Sequence, residues 1–420
     1  MESDLLIRAK VNQERSNKGL KLIFLIWPFL AGCIAVRNFG LKSSRKILLF
    51  VFTYFGYTIN FARESMDGFA HKEKFELFAK LDSSSFFALI QAILLRKSNS
   101  GELDLYSVVV NFLVSRFTDS YQVMFMVHSF VFSYFMLKVI EVIFDDVEGI
   151  KSFNVKVFFI LLWFLIPINN VQAIRFPIAS WIYIYGVIMY LKSENKRFLF
   201  FCFLSCLVHF SFALATVVVL AYSFLGNRNL LYLSFLALSF ILPNLFYSFL
   251  SNFDSSQLGE GVEDKIQGYS REDYIKMRNQ NLENRNWYSR LRIPFLQYGF
   301  YIALFYNAYL KRFSLKSDKF QDNLVSFMIL FLAFIQFGFA FDSLGRRFLI
   351  IWFVLASIYF IRSYSLNASS ELKLPTAILF FPVALWSIVQ LRISLDVTTW
   401  MFYIGNPVVA TFIKLETILK

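Results

Sequence analysis

Three cysteines in 420 residues are too few for a disulfide framework, and no spacing among them makes a thiolate metal site. Cys33, Cys202 and Cys206 all lie in apolar runs and read as small buried hydrophobes, the last two on one helix face at i,i+4 spacing. Histidine also occurs only three times, as His71, His128 and His209, which argues against a metal centre. The sequence has no Walker A loop, no H-E-x-x-H, no Gly-rich dinucleotide fingerprint and no G-x-S-x-G elbow. Nucleotide hydrolysis is therefore not expected of this chain, and no cofactor or metal is called for. A cleavable signal peptide is not expected either; the first hydrophobic run begins near Leu20 and reads as a retained anchor. Charged residues make up 17% of the chain, against about 25% in a soluble domain.

What replaces charge is apolar and aromatic surface. Hydrophobic residues reach 57%, aromatics 20%, and phenylalanine alone occurs 54 times. Hydrophobic runs follow one another at 20–36, 46–62, 121–144, 153–169, 174–191, 198–225, 229–250, 293–310, 322–341, 347–362 and 375–391, with a weaker run at 400–414. Most have the length that crosses a ~30 Å hydrocarbon core. No water is available there to pair backbone N–H and C=O groups, so such runs must be helical. The sequence predicts an all-α polytopic membrane bundle of roughly eleven to twelve spans, one transmembrane domain over 1–420. Two longer polar stretches, 63–120 and 251–292, read as external loops. The first contains a short apolar piece, Phe86–Leu95, too short to cross alone and expected to lie in the interface or dip into the membrane.

The net charge of +13 fits loops that meet anionic lipid better than it fits nucleic acid. Loop 42–46 (Lys42, Arg45, Lys46), loop 192–197 (Lys192, Lys196, Arg197) and loop 311–319 (Lys311, Arg312, Lys316, Lys319) all read as cytoplasmic. Three runs separate the last two loops, an odd number, so one run must not cross. Run 198–225 is the candidate. As a straight helix its 28 residues would measure about 42 Å, too long for the core without strong tilt, and it carries His209 near its middle. The expectation is a break near His209 into two half-helices that enter and return. Residues 8–21, with Arg8, Lys10, Arg15, Lys18 and Lys21, pull the other way: their charge prefers the cytoplasm while the parity count puts them outside.

Ionisable residues at or within spans are costly and are functional candidates by default. Arg175 stands at an outer turn with Asn169, Asn170 and Gln172 nearby, which reads as a hydrated recess; its plain alternative is snorkelling to lipid phosphate. His209 is either a packing residue or a group at the broken helix. Arg290 and Arg292, and Arg346 and Arg347, also fall at the outer edge, where positive-inside bias disfavours them. Arginine suits bidentate contacts to phosphate, although Asp342 and nearby Glu residues could simply neutralise these four. Asp67, just beyond the second run, is either a general base or an ordinary helix N-cap. Asp104 reads the same way, more weakly.

The order of several short motifs carries more than any one of them. Asp67 with its following stretch precedes Asp104-Leu-Tyr106 and Val114-Ser-Arg-Phe-Thr118. Then come Asn170-Val-Gln-Ala-Ile-Arg175-Phe-Pro-Ile-Ala179 and Leu207-Val-His209-Phe-Ser211. This arrangement resembles the EpsG family, related to the Wzy-type O-antigen polymerases, over most of the chain and most sharply over 100–225. Pro177 is a minor departure, since that position is commonly polar or small. The resemblance implies a glycosyltransferase of GT-C-like architecture in the bacterial inner membrane, with its site facing the periplasm. Such an enzyme joins undecaprenyl-diphosphate-linked oligosaccharides, as donor and acceptor, into O-antigen, capsule or exopolysaccharide, and can work with a chain-length regulator. On that reading Arg175, helped by Arg290, Arg292, Arg346 or Arg347, grips the donor diphosphate, and His209 or Asp67 orients or deprotonates the acceptor hydroxyl. Aromatic residues of the second loop, such as Tyr269, Tyr274, Trp287 and Tyr288, stack on sugars. Two other classes stay open, a lipid-linked oligosaccharide flippase and a membrane glycan acyltransferase. The flippase should show internal repeats; the acyltransferase should pair a histidine with a carboxylate, and His209 has none close in sequence.

Overall fold

The computed structural model describes all residues except 1–18, 62, 65, 96–103, 148–151, 243–279, 281–285, 312–316, 340–341, 368–372, 414 and 419–420. The described chain is helical almost throughout, as a bilayer requires of backbone that finds no water. In order the helices used below are α1 (Pro28–Arg37), α2 (Lys42–Thr58), α3 (Asp67–Lys80), α4 (Ser83–Leu94), α5 (Leu105–Ser115), α6 (Tyr121–Asp146), α7 (Phe153–Leu165), α8 (Arg175–Ser193), α9 (Leu199–Val208), α10 (Phe212–Leu225) and α11 (Asn229–Ile241). They continue with α12 (Trp287–Lys311), α13 (Lys319–Gly338), α14 (Asp342–Leu366) and α15 (Lys373–Ser394).

Among the described residues, five helices are long and apolar enough to cross a membrane: Tyr121–Asp146, Phe153–Ala173, Lys319–Gly338, Ser343–Leu366 and Lys373–Ser394. The chain is thus an all-α polytopic membrane protein. Other apolar runs of the sequence become shorter helices or carry charge near their ends; α12, for example, holds Arg290, Arg292 and Lys311. Small residues set the closest crossings, as packing between helices in lipid demands. At Gly56 of α2 a Cβ would collide with Ser129 Oγ and the Phe125 carbonyl of α6. Large side chains such as Trp181, Trp352 and Trp386 are fully buried, while Phe50, Ile160, Val217 and Ile388 are exposed and form the lipid-facing skin. Cys202 is buried, but Cys33 is exposed on that skin, contrary to the expectation that all three cysteines are interior.

Ion pairs gather the basic loops at one end of the bundle. Arg45 of α2 meets Glu141 and Asp145 of α6 at 2.7 and 2.5 Å. Lys192 of α8 meets Asp146 at 2.5 Å, and Arg362 of α14 donates to the Asp146 carbonyl at 2.7 Å. Lys319 reaches Glu194 at 2.8 Å.

Run 198–225 is not one straight helix. It is cut into α9 and α10 at His209, which has extended backbone (φ −150°, ψ 114°). The two halves fold back on each other: Thr216 Oγ1 donates to the Cys202 carbonyl at 3.0 Å although 14 residues separate them. Both open ends sit beside the basic end of α8, with Lys196 Nζ 5.5 Å from the Phe224 ring and Tyr190 6.3 Å from Tyr222. At about 1.5 Å per residue α9 rises only ~15 Å, half the hydrocarbon core. Gly226, at φ +65° and ψ −150°, a conformation open to glycine and little else, ends α10 and turns the chain into α11.

The described residues of 63–120 build a small cap of α3, α4 and α5. The rings of Phe86 and Phe112 stack at 3.8 Å, and Arg116 donates to the carbonyls of Phe78 and Ala79 at 2.7 and 3.1 Å. The apolar piece Phe86–Leu95 lies within and just after α4, whose 12 residues reach about 18 Å and cannot cross.

Candidate active site

Four pieces of backbone meet at the end of the bundle away from the basic loops: the start of α5, the start of α8, the turn between α9 and α10, and one face of α3. The first three are places where a helix starts, stops or caps, so polar groups there have backbone to work with.

After α7, Pro167 leads into a 3-10 turn, Ile168–Ala173. Ile174 follows with φ 43° and ψ −70°. A positive φ at a β-branched residue is strained and persists only where its surroundings impose it. The imposing contacts surround it: Trp181 Nε1 donates to the Ile166 carbonyl at 3.3 Å, and the Ala173 carbonyl accepts a hydrogen bond from His71. The strain aims Arg175, the first residue of α8, back toward α5. Pro177 sits in the first turn of α8, where a missing N–H costs no intrahelical bond, so that departure from the family pattern is harmless locally.

Asp104 stands at the N-cap position of α5, yet its side chain does not cap α5. It serves three other donors. Oδ2 accepts from Arg175 Nη1 and from His209 Nδ1, each at 3.0 Å, and Oδ1 accepts from the Phe210 backbone N–H at 2.8 Å. The carboxyl is 3% exposed, His209 15% and Arg175 31%, so the cluster opens outward along the arginine. Burial pushes the Asp104 carboxyl up, but the His209 hydrogen bond and charge, then Arg175 and the Phe210 N–H, outweigh it and hold the carboxyl below its usual range.

Of the other two histidines, His71 stands near the same carboxylate and His128 stands behind it on α6. His71 of α3 is buried, and burial first, then the charge of Arg175, lowers it to about 3, so it is neutral at physiological pH. His128 of α6 is bonded through Nδ1 to the Tyr106 hydroxyl and through Nε2 to Asn111 Oδ1, both at 3.0 Å. Tyr106 and Asn111 belong to α5, so this buried link fastens to α6 the helix that carries Asp104.

The structure brings Arg175 and His209 together through Asp104. Asp67 is exposed in the first turn of α3, where a carboxylate favours the helix N-terminus; the residue one turn on, His71, is the one turned to the cluster. Arg347 is adjacent: its guanidinium lies 5.8 Å from the Phe176 ring, which in turn meets His209 edge-on at 5.9 Å. Arg346, partly buried, precedes it on α14. Arg292 lies over Trp386 at 5.2 Å, and Arg290 is exposed at the start of α12. Trp287 is exposed beside Tyr288, while Tyr269 and Tyr274 lie outside the described residues. Among the described residues, no group of three His, Cys, Asp or Glu side chains is arranged to hold a metal ion.

Asp104 as the common partner and His71 and His128 as its neighbours were not legible as a group. Asp104 precedes His209 by 105 residues and Arg175 by 71. The one available signal was rarity: of three histidines in the chain, His209 is bonded to Asp104, His71 lies near it, and His128 anchors the helix that carries it.

Chemically, a carboxylate on His209 Nδ1 fixes the imidazole tautomer and leaves Nε2 to exchange a proton, as in other carboxylate–histidine pairs. Nε2 is buried and without a partner among the described residues. Beside it stands a guanidinium suited to phosphate.

The sequence model of the EpsG family matches residues 44–405. No curated protein and no solved structure matches the chain.

Proposed function

This chain belongs to the EpsG family, which makes it a polysaccharide-polymerase-like membrane protein, and from that premise we propose that it joins undecaprenyl-diphosphate-linked oligosaccharide repeat units outside the cytoplasmic membrane. The observation that carries the proposal is the Asp104–Arg175–His209 cluster, a base and a phosphate-binding cation on one buried carboxylate. In the proposed reaction His209 Nε2 takes the proton of the acceptor hydroxyl, whose oxygen attacks the anomeric carbon of the donor sugar. The bond from that carbon to the diphosphate breaks, and Arg175 neutralises the charge that grows on the leaving oxygen. Asp104 steadies the imidazolium. Arg347, one ring away, is the first of the remaining arginines to assist; Arg290, Arg292 and Arg346 line the approach in this proposal.

The outward orientation is supported by charge. Ion-paired loops rich in Lys and Arg share the opposite end of the bundle, and such loops stay in the cytoplasm. The bacterial inner membrane is the proposed location, and a chain-length regulator a proposed partner. A glycan acyltransferase would also use a histidine paired with a carboxylate, and that pair is present; the family match favours polymerisation.

The test is a polymerisation assay on full-length protein in nanodiscs with the host's own lipid-linked repeat unit. A ladder of products is expected. His209→Ala should slow it about 10²–10⁴-fold, the usual contribution of a positioned base, and Arg175→Ala about 10²–10³-fold. Unchanged ladders from folded variants would remove both residues from the mechanism.

A further inference from the structure

Beyond the 3-10 turn from Arg175 lies a cavity of about 150 Å³ among α2, α6, α7 and the end of α15. Its walls are apolar, with Phe52, Phe55, Met136, Phe164 and Phe402 among them. A cavity of that volume elsewhere admits a benzene-sized apolar group, about the bulk of one isoprene unit. It opens sideways: Leu391 on its rim is 51% exposed, and the nearby Ile388 is 64% exposed, both on the lipid-facing skin.

Polar side chains, Gln390, Ser394 and Thr398 among them, interrupt the apolar lining, and two donors there stand without partners. Asn169, 2% exposed, has a buried Nδ2, and Trp163 a buried Nε1, and neither atom has a hydrogen-bond partner among the described residues. Buried donors without partners are uncommon in folded proteins and call for an explanation. A saturated acyl chain would leave both unpaired. An apolar chain that ends on a phosphate ester brings an acceptor oxygen to them. Asn169 lies in the 3-10 turn Ile168–Ala173, and Arg175 opens α8 just past it, beyond the positive-φ residue Ile174. One short stretch of chain thus joins the cavity to Arg175, the residue proposed to hold the diphosphate.

We propose that the cavity seats the phosphate-proximal isoprene unit of a polyprenyl diphosphate, with the Asn169 and Trp163 N–H groups donating to the ester oxygen that joins chain to phosphate. This deepens the polymerase reading and rests on it for the identity of the lipid; the binding itself is measured without turnover.

The experiment uses full-length protein in nanodiscs and a farnesyl diphosphate carrying a diazirine on its first isoprene unit. After photolysis, labelled peptides are mapped by mass spectrometry. Label is expected on 163–169 and 390–403, displaced by unlabelled farnesyl diphosphate and not by dioleoylphosphatidylglycerol. Ser394→Phe, which adds bulk at the rim and removes neither donor, should cut labelling at least tenfold. Label elsewhere while lipid-linked repeats still polymerise would overturn the cavity proposal and leave the polymerase intact. Label in the cavity without polymerisation supports the site and sinks the polymerase. Equal displacement by the phospholipid would make the cavity an unselective lipid slot and overturn the proposal. Wild-type mapping decides among these even if Ser394→Phe does not fold.

Discussion

A carboxylate that is 3% exposed in an apolar bundle persists because three donors share it. An ionised carboxylate without partners would pay a desolvation cost of several kcal/mol; Arg175, His209 and the Phe210 N–H offset it at Asp104. Asp104→Asn keeps an oxygen for the Phe210 N–H but removes the charge that orients imidazole and guanidinium. It should reduce polymerisation about 10²–10⁴-fold while the protein still folds, measured in the ladder assay beside a thermal melt. A fall in melting temperature as large as the fall in activity would mark Asp104 as structural only. His71 makes a separate prediction. Its folded value near 3 lies below the ordinary 6.5, so the unfolded chain binds the proton first as pH drops. Stability should be intact above pH 6.5 and be lost progressively between 6.5 and 3, by roughly 3 kcal/mol at pH 4.5. His71→Asn should flatten that slope in melts at pH 7 and 4.5.

At the scale of elements, the informative piece is the α9–α10 hairpin. A helix that ends inside an apolar bundle exposes carbonyls and N–H groups that its surroundings cannot pair unless they are arranged to. Here they are turned to use: the Phe210 N–H goes to Asp104, the Phe212 N–H to the His209 carbonyl at 3.0 Å, and Thr216 and Tyr183 hydroxyls to the carbonyls of Cys202 and Ala215. The length of run 198–225 and its central histidine were enough to expect this break, because 28 residues do not fit a bilayer as one upright helix. What the run did not reveal was the partner of the turn. In a chain with its own cysteines replaced, single cysteines at Lys196 and Arg228 should react with an impermeant thiol reagent from the same side of the membrane. Reaction from opposite sides would mean that the segment crosses, and the site would lose its histidine turn.

For the whole molecule, charge is sorted by end: Arg45, Lys192, Lys319 and Arg362 are tied by ion pairs at one, and Asp104, Arg175 and His209 stand at the other. In intact cells an impermeant reagent should label Asp67→Cys and spare Lys196→Cys; the reverse pattern would put the site in the cytoplasm. Class, helicity, the basic loops and the candidacy of Arg175 and His209 could all be read from composition and order, since hydropathy, span length and the cost of intramembrane charge act locally along the chain. The sequence alone also carried the family resemblance. The tertiary structure alone decided that Asp104 is the hub, that His71 rather than Asp67 faces it, and that Arg347 stands nearer His209 than its neighbours in sequence would indicate. The physical reason is that a buried carboxylate takes its partners from whatever donors packing brings within 3 Å. Those donors lie more than 70 residues along the chain from the carboxylate, a distance over which no local pattern operates.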